Sequence, residues 1–208
     1  MDNFPKKIAV FPLSGVIFFP ETNLPLNIFE SRYLKMVNDT LKNNKFLGMI
    51  QSKNINGEVY NVGCLGKIDE HNKTEDGRIL INLKGISRFQ IDKEIKNNEP
   101  YREFFVKYDL FKDDSVIKEI KVKNERLNEL INNSKIFFKK NGIFLNWSEL
   151  SKLSPQKQIY NLAMISPISV EEKQKLIEIV NLDDVANILN EITKFNFYED
   201  PEQKKVLQ

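Results

Sequence analysis

The chain has 208 residues, of which 41% are hydrophobic, and this is enough to bury one large core or two small ones. Its 31 Lys and Arg nearly balance 29 Asp and Glu, so no strong overall field favours nucleic acid or an anionic membrane. No apolar run approaches the roughly 18 to 20 residues that span a bilayer, and the opening MDNFPKK lacks an apolar signal core. Together with a single cysteine, these features predict a cytoplasmic protein without an internal disulfide.

The first predicted elements are short extended segments separated by prolines. Pro12, Pro20 and Pro25 each fix φ and lack an amide donor, so the apolar pieces between them cannot form one helix or a central strand. From Glu30 or Ser31 onward the apolar spacing becomes that of an amphipathic helix, with Ser31 available as its cap. The pattern predicts a strand, a crossing loop, a second strand and a helix.

The next part of the chain, up to about Phe111, has the pattern of a small, mostly antiparallel barrel or sandwich. Asp76-Gly77 and Asn56-Gly57 are turn signals between apolar runs. Five runs have the apolar content or the alternation of strands: Phe46–Gln51, Cys64–Asp69, Arg78–Gly85, Arg88–Ile95 and Tyr101–Phe111.

After Asp113-Asp114 the apolar residues have helical spacing, and this spacing continues to Phe195. Four helices are expected. The first runs from about Ser115 to Lys140 and ends at Asn141-Gly142, the second begins at Ser154-Pro155, the third at a Ser169 and Glu172 capping box, and the fourth at Asn181 or Asp183. Their expected inward residues include Ile117, Ile120, Leu127, Leu130, Ile131, Phe137, Phe138, Ile159, Leu162, Ala163, Leu176, Ile177, Val180, Val185, Ile188, Leu189, Ile192 and Phe195.

Several motifs in this order form a recognisable series. They are FPL at Phe11–Leu13, FFP at Phe18–Pro20, LPL at Leu24–Leu26, IFESRY at Ile28–Tyr33, VGCLGKI at Val62–Ile68, DGRILINLKGISRFQI at Asp76–Ile91 and, more loosely, ISPISVEEKQKLIEIVNLDDVANIL in the helical part. The series resembles the amino-terminal, substrate-recognition domain of Lon proteases, the LON or PUA-like domain. Ser31 stands where many members have Pro, and Cys64 stands where Thr or another small residue is usual.

The resemblance implies an α+β fold: a small, mostly antiparallel PUA-like β-barrel with one inserted helix, followed by a carboxy-terminal helical bundle. We place the barrel subdomain at residues 1–112 and the helical subdomain at 113–208. This agrees with the change from strand-like to helical spacing near Asp113.

The sequence offers little for catalysis. A complete Lon protease needs an ATPase domain and a Ser-Lys protease domain, and we expect neither here because the chain is too short and contains no GxxxxGK[ST] string. Cys64 and His71 are too few for a zinc site. They are a conceivable nucleophile and base, but a buried structural cysteine and a loop histidine are favoured. The expectation is a stand-alone module that is not an enzyme and needs no cofactor or metal.

The resemblance implies a non-catalytic protein- or peptide-binding module, with a role as an adaptor or holdase in protein quality control. Its expected partners are unfolded or degron-bearing protein segments, and a separate Lon or another protease is a further candidate. Self-association stays open. The alternative function is RNA binding by a PUA-like barrel, which the near-neutral charge disfavours.

The candidate peptide-binding residues are apolar or aromatic, or lie beside such residues, because an exposed apolar groove recognises unfolded segments. Core packing is the alternative for each aromatic, since large aromatic side chains usually lie inside. Glu30 and Arg32, two positions apart, are not expected to face each other on a helix, and each is expected to anchor the helix to the barrel. The ten candidates are Phe11, Pro12, Phe18, Phe19, Leu26, Phe29, Arg32, Tyr33, Arg88 and Phe89.

Overall fold

The computed structural model describes residues 4–54, 57–115 and 122–198. By contacts between its Cα atoms the chain divides into two compact units, residues 1–118 and 119–208. In these described ranges, the first unit is a β-barrel with one α-helix, and the second consists of helices. The α+β class predicted from the sequence is confirmed, whereas the boundary expected between residues 112 and 113 stays a prediction.

Within residues 4–54 and 57–115, the barrel unit contains six strands, one α-helix and a 3₁₀ helix. Its elements are β1 (Lys7–Pro12), β2 (Asn23–Ile28), α1 (Ser31–Lys42), β3 (Phe46–Ser52), β4 (Val59–Lys73), β5 (Ile79–Ile95), β6 (Arg102–Lys107) and the 3₁₀ helix Asp109–Ser115. The expected order of strand, crossing loop, strand and helix is therefore present at the start of the chain.

The sheet closes because β5 is long enough to pair with three other strands. Its order is β2-β5-β4-β3-β1-β6, and β6 pairs again with β5. β1 pairs with β3 in parallel, and the other pairs of described strands are antiparallel. β2 pairs with the first part of β5, from Ile79 to Lys84, and extends the sheet beyond the closed barrel. β2 is therefore an edge strand.

Two glycines let backbone segments approach closely inside this unit. A Cβ on Gly85 would lie 2.0 Å from the carbonyl oxygen of Phe19, in the loop between β1 and β2. A Cβ on Gly63 would lie 2.3 Å from the carbonyl oxygen of Met49 on β3. Since a side chain cannot occupy either space, only glycine fits at these positions. The loop can thus place Phe18 and Phe19 in the core, where both are buried.

Three local predictions for the barrel unit were wrong in detail. The expected runs Arg78–Gly85 and Arg88–Ile95 belong to one strand, Ile79–Ile95, rather than two, with a bulge between the pairs Leu65–Ser87 and Gly66–Gly85. The run Tyr101–Phe111 is divided into β6 and the start of the 3₁₀ helix. Ser31 is the first helical residue rather than the cap; Glu30 occupies the cap position, without a side-chain cap hydrogen bond.

The turn predicted at Asp76-Gly77 joins β4 to β5. Gly77 has φ of +86° and donates its N–H to the Thr74 carbonyl at 3.0 Å. The other turn signal, Asn56-Gly57, lies partly outside the described residues, although Gly57 has φ of +84°.

Five helices lie in the described part of the helical unit, residues 122–198. They are α2 (Asn124–Lys140), α3 (Trp147–Ser151), α4 (Pro155–Ile165), α5 (Val170–Glu178) and α6 (Leu182–Tyr198). Ser154 caps α4, with Pro155 at the first helical position, as predicted. The capping box at the start of α5 is also confirmed: the Glu172 N–H donates to Ser169 Oγ at 3.1 Å, and the Ser169 N–H donates to Glu172 Oε2 at 2.8 Å.

The helix boundaries differ from the prediction at the start of the unit. α2 begins at Asn124 rather than near residue 115, and Ile117 and Ile120 lie outside the described residues. The sequence reading missed α3, because five residues are too few to show a helical period. Asn141 and Gly142 end α2 as expected.

Two residues predicted to face inward in this unit are exposed. Val180 is 46% exposed because α5 already ends at Glu178. Phe195 is 62% exposed, since at about 100° per residue it falls on the side of α6 opposite the buried stripe. That stripe passes through Leu182, Val185, Ala186, Leu189 and Thr193. No helix in the described part of the chain is long and apolar enough to cross a membrane.

Candidate functional site

The ten candidate residues do not form one surface. Six of them are buried: Phe11, Phe18, Phe19, Tyr33, Arg88 and Phe89. Phe29 is 66% exposed, Arg32 is also exposed, and Pro12 and Leu26 are half-buried. In this conformation a peptide therefore reaches only these last four side chains, and their role in binding stays a prediction.

The accessible candidates Leu26 and Phe29 lie on and directly after the edge strand β2. Along β2, Asn23, Pro25 and Asn27 are exposed, whereas Leu24 and Leu26 are half-buried and Ile28 is buried. This alternation places the leucines on the side of the barrel core, where their Cα partners Leu83 and Ile81 are buried. The other side chains of the strand face outward.

The hydrogen-bonding pattern identifies which backbone groups of β2 are unused. Gly85 donates its N–H to the Thr22 carbonyl at 2.9 Å, just before the strand. In an antiparallel pair, bonded and non-bonded positions alternate, so Leu24 and Leu26 exchange hydrogen bonds with β5. The backbone groups of Asn23, Pro25 and Asn27 then point away from β5. Among the described residues, no strand pairs with this side of β2.

Pro25 modifies this edge because it has no N–H. The outward side of β2 therefore offers N–H donors at Asn23 and Asn27 and carbonyl acceptors at all three positions. A proline is tolerated in a strand only where its nitrogen faces away from the ladder, which is the arrangement here. We call this side of β2, with the exposed Phe29 that follows it, the β2 edge.

The start of α1 lies directly after the β2 edge. Arg32 Nε donates to Glu30 Oε2 at 3.0 Å, and the guanidinium lies 4.5 Å from the centre of the Tyr33 ring. Tyr33 in turn packs edge to face on Phe11 with ring centres 4.3 Å apart, and its burial raises the pKa of its hydroxyl. The expectation that Glu30 and Arg32 do not meet was wrong, because Glu30 precedes the helix and the helical spacing rule does not apply to it.

Arg88 has a structural partner that the sequence did not reveal. Its Nε and Nη2 donate to the two carboxylate oxygens of Asp114 at 2.9 and 2.8 Å, and its backbone N–H also donates to Asp114 at 2.9 Å. Both side chains are almost fully buried. The guanidinium lies 4.4 Å from the centre of the Phe111 ring. Arg88 thus attaches the 3₁₀ helix Asp109–Ser115 to β5.

Cys64 and His71 do not form a catalytic pair. Cys64 is fully buried, and this burial, with a smaller contribution from the Asp114 charge, raises the pKa of its thiol. His71 is exposed and lies near the carboxyl end of β4. Seven residues of extended strand separate the two by roughly 20 Å. Within the described ranges, no group of three His, Cys, Asp or Glu side chains is arranged to hold a metal ion.

The sequence reading missed Asn23, Pro25 and Asn27, which provide the free backbone groups. A signal for them was present, because a proline inside an apolar strand pattern indicates an edge strand. Asp114 gave no comparable signal, since its partner is 26 positions away.

Comparison with known proteins extends the resemblance over most of the chain. The family described as the ATP-dependent protease La (LON) substrate-binding domain matches residues 7–194. Lon protease of Dictyoglomus thermophilum is 22% identical over 93% of this chain, and Lon protease of Malacoplasma penetrans is 28% identical over 83%. The chain covers only 24% and 23% of these two relatives.

Solved structures agree with this fold. The Lon N-terminal domain protein from Xanthomonas campestris has a TM-score of 0.67 at 17% identity, covering 88% of this chain and 96% of that one. The N-terminal domain of the Mycobacterium avium complex Lon protease has a TM-score of 0.64 at 14% identity, covering 91% and 98%. The matched region includes both the barrel and most of the helical unit, and the chain therefore belongs to the family of LON substrate-binding domains.

Proposed function

We propose that this protein binds extended segments of unfolded or degron-bearing proteins by adding them as a strand to the β2 edge. The observation that carries the proposal is an edge strand whose outward backbone groups at Asn23, Pro25 and Asn27 have no partner among the described residues. Strand addition recognises the peptide backbone and therefore tolerates many sequences. This suits a domain that must accept diverse substrates.

The side chains of β2 indicate which segments fit best. Leu24 and Leu26 are half-buried on the core side of the strand, and Phe29 lies exposed at its end. An added strand places every second side chain on that same side. The preferred segment therefore has apolar residues at alternate positions, as buried strands of unfolded proteins do.

Pro25 limits how tightly the edge binds. It removes one donor from the middle of β2, so an added strand forms fewer hydrogen bonds than at an open edge. Prolines also protect natural edge strands from permanent pairing and aggregation. The expected result is reversible capture, which agrees with an adaptor that delivers segments to a separate Lon or another protease, or with a holdase.

No observation favours the alternative of RNA binding. In the described residues, several exposed cations are paired with carboxylates, as in Lys35–Asp39, Lys107–Asp92 and Lys194–Glu129. Phosphate contacts need clustered cations that are available to the ligand. We expect no salt-sensitive retention of the protein on RNA.

The test uses a labelled peptide of alternating valine and threonine and two substitutions at one position. Asn27→Pro removes an outward N–H, while Asn27→Ala keeps it. We expect Asn27→Pro to weaken binding about three- to tenfold, the effect of one hydrogen bond, and Asn27→Ala to leave it within about twofold. Fluorescence anisotropy measures the affinity.

A second variant tests the side-chain contribution. Phe29→Ser removes an exposed ring and is expected to weaken binding of the same peptide without unfolding the protein. Equal affinity of Asn27→Pro and Asn27→Ala, or no measurable binding of any unfolded model protein or apolar peptide to the parent, would refute the proposal. Suppression of aggregation of a denatured model protein, followed by light scattering, tests the holdase role.

A further inference from the structure

A second aromatic surface of the barrel unit includes none of the candidate residues that the sequence indicated. Phe105 points outward from β6 and is 45% exposed, although its neighbours Phe104 and Val106 are buried. A groove of about 480 Å³ opens beside it, lined by Phe4, Lys6, Asp92, Phe105, Val106, Lys107, Tyr108 and Asp109. We call this the Phe105 groove.

The aromatic side of the groove is held in place. Tyr108 Oη donates to the Pro5 carbonyl at 2.8 Å, and the Phe4 ring lies 5.4 Å from the Tyr108 ring and 6.4 Å from the Phe46 ring. Val106 also donates its N–H to the Lys6 carbonyl at 2.9 Å. The segment before β1 is thus fixed against β6, and the groove is formed before any ligand arrives.

Lysines surround Phe105 on both neighbouring strands. Lys7 on β1 and Lys93 on β5 are both Cα partners of Phe105, so they flank it directly across the sheet. The register shift between Ile91 and Lys93 marks a bulge that includes Asp92. Such bulges redirect side chains at the edge of a site.

The charges around the groove do not cancel. Lys7 pairs with Glu103 at 3.0 Å, and Lys107 pairs with Asp92 while also lying in the field of Asp109. Glu103 therefore acts on Lys7, and Asp92 and Asp109 act on Lys107. Lys6 and Lys93 have no carboxylate within ion-pair distance among the described residues. The two remaining cations lie beside an exposed ring.

We propose that the Phe105 groove binds a protein segment in which an apolar side chain is followed closely by carboxylates. The apolar side chain contacts Phe105 and Phe4, and the carboxylates contact Lys6 and Lys93. Charge complementarity selects this partner over an uncharged or basic segment. The groove is distinct from the β2 edge, so this proposal does not rest on strand addition.

The probe is a labelled, end-capped peptide with one phenylalanine followed by two aspartates within glycine and serine residues. Two control peptides replace the phenylalanine by serine or the aspartates by lysine. We expect the probe to bind at least about tenfold more tightly than either control at low salt, since both contacts contribute. We also expect the preference over the lysine peptide to decrease as salt is raised.

Protein variants localise the binding. Phe105→Ser is expected to weaken binding of the probe about tenfold, as is Lys6→Glu combined with Lys93→Glu, because hot-spot side chains have effects of this size. Phe144→Ser is the matched control, since Phe144 is 96% exposed in the helical unit. All four substituted residues are exposed, so circular dichroism is expected to show unchanged folding of all three variants.

Several results would overturn the proposal. The proposal is contradicted directly if Phe105→Ser binds the probe as tightly as the parent does, or if the parent binds the lysine peptide as tightly as the probe. A dimer of the parent that Phe105→Ser dissociates in sedimentation would assign the groove to a second copy of this chain. Displacement of the probe by an equal concentration of uridine oligonucleotide would show that the lysines bind phosphate instead of carboxylates. Asn27→Pro is expected to leave binding of this probe unchanged, so failure here is distinguishable from failure at the β2 edge.

Discussion

The barrel unit and the helical unit differ in how much their stability depends on single positions. In the barrel unit, there is no space for a Cβ on Gly85 beside Phe19. One buried carboxylate, that of Asp114, accepts hydrogen bonds from both the side chain and the backbone N–H of Arg88. The helical unit depends on repeated apolar stripes and on caps such as Ser154 and Ser169. Stripes distribute the stabilisation over many residues, whereas close approaches concentrate it. We therefore expect single substitutions to cost more in the barrel unit.

The largest effect is expected for Asp114→Ala. It leaves the Arg88 guanidinium buried without its carboxylate, and breaking a buried pair in this way costs about 3 to 5 kcal/mol. Loss of protection of the β5 amides in native-state hydrogen exchange measures it. The control is Asp69→Ala at an exposed position of β4, for which a change within about 0.5 kcal/mol is expected. Unchanged β5 protection in Asp114→Ala would show that the barrel unit does not depend on this buried ion pair.

A smaller loss is expected for Gly85→Ala. The new Cβ would lie 2.0 Å from a backbone oxygen that cannot move without shifting the whole loop, and overpacking of this kind costs about 1 to 3 kcal/mol. Gly48→Ala is the matched control, because its nearest contact is the flexible end of Ile8 at 2.8 Å. Urea unfolding of both variants checks the order. A greater loss of stability in Gly48→Ala would show that the close approach of the Phe19 carbonyl to Gly85 is not the more restrictive contact.

The helical unit is expected to respond more weakly to loss of a cap. Ser169→Ala removes the acceptor for the Glu172 N–H and is expected to cost about 1 kcal/mol. Hydrogen exchange of the first turn of α5 measures this loss. Ser148→Ala on α3, which is exposed, provides the control. If Ser169→Ala costs more stability than Asp114→Ala, single substitutions are not more costly in the barrel unit than in the helical unit.

The smallest effect concerns pH. Lys35 and, to a lesser extent, Tyr101 donate hydrogen bonds to Asp39 and lower the pKa of its carboxyl below the ordinary value of 3.8. A lowered folded-state pKa gives stability that is present above 3.8 and is lost as pH falls through the folded value. Asp39→Asn is therefore expected to cost less than about 1 kcal/mol near pH 6, and less still near pH 2.

Urea unfolding at several pH values measures this difference. Lys35 also pairs with Glu99 at 2.6 Å, so Glu99→Gln serves as a comparison at the same lysine. A constant difference between the parent and Asp39→Asn from pH 6 to pH 2 would show that Asp39 does not stabilise the fold through its charge.

The sequence predicted those features that depend on local physics. Pro155 and Ser154 indicated the start of α4, the Ser169 and Glu172 spacing indicated the capping box, and Asp76-Gly77 indicated the hairpin, because each acts within a few residues. The family motifs indicated the class of fold. These signals were sufficient for most elements and for the division into strands and helices.

The features that the sequence did not reveal depend on contacts between distant positions. From the sequence Arg88 is a candidate for peptide binding, whereas in the structure it forms a buried ion pair with Asp114, and no spacing rule connects the two residues. Phe18 and Phe19 lie in the core because Gly85, which has no Cβ, lets their loop pack closely against β5. Amino-acid composition does not reveal this contact. The candidate site was therefore only partly predicted: Leu26 and Phe29 lie on or beside the β2 edge, but its backbone groups were not identified.

If the outward backbone groups of β2 bind an added strand, the amides of that edge become protected from solvent. The most direct measurement is amide hydrogen exchange at Asn23 and Asn27 by NMR, with and without the alternating valine and threonine peptide. We expect slower exchange at both amides when peptide is bound, with little change at Leu24 and Leu26, whose amides already bond to β5. Saturating peptide that leaves exchange at Asn23 and Asn27 unchanged would contradict the binding of an added strand at this edge.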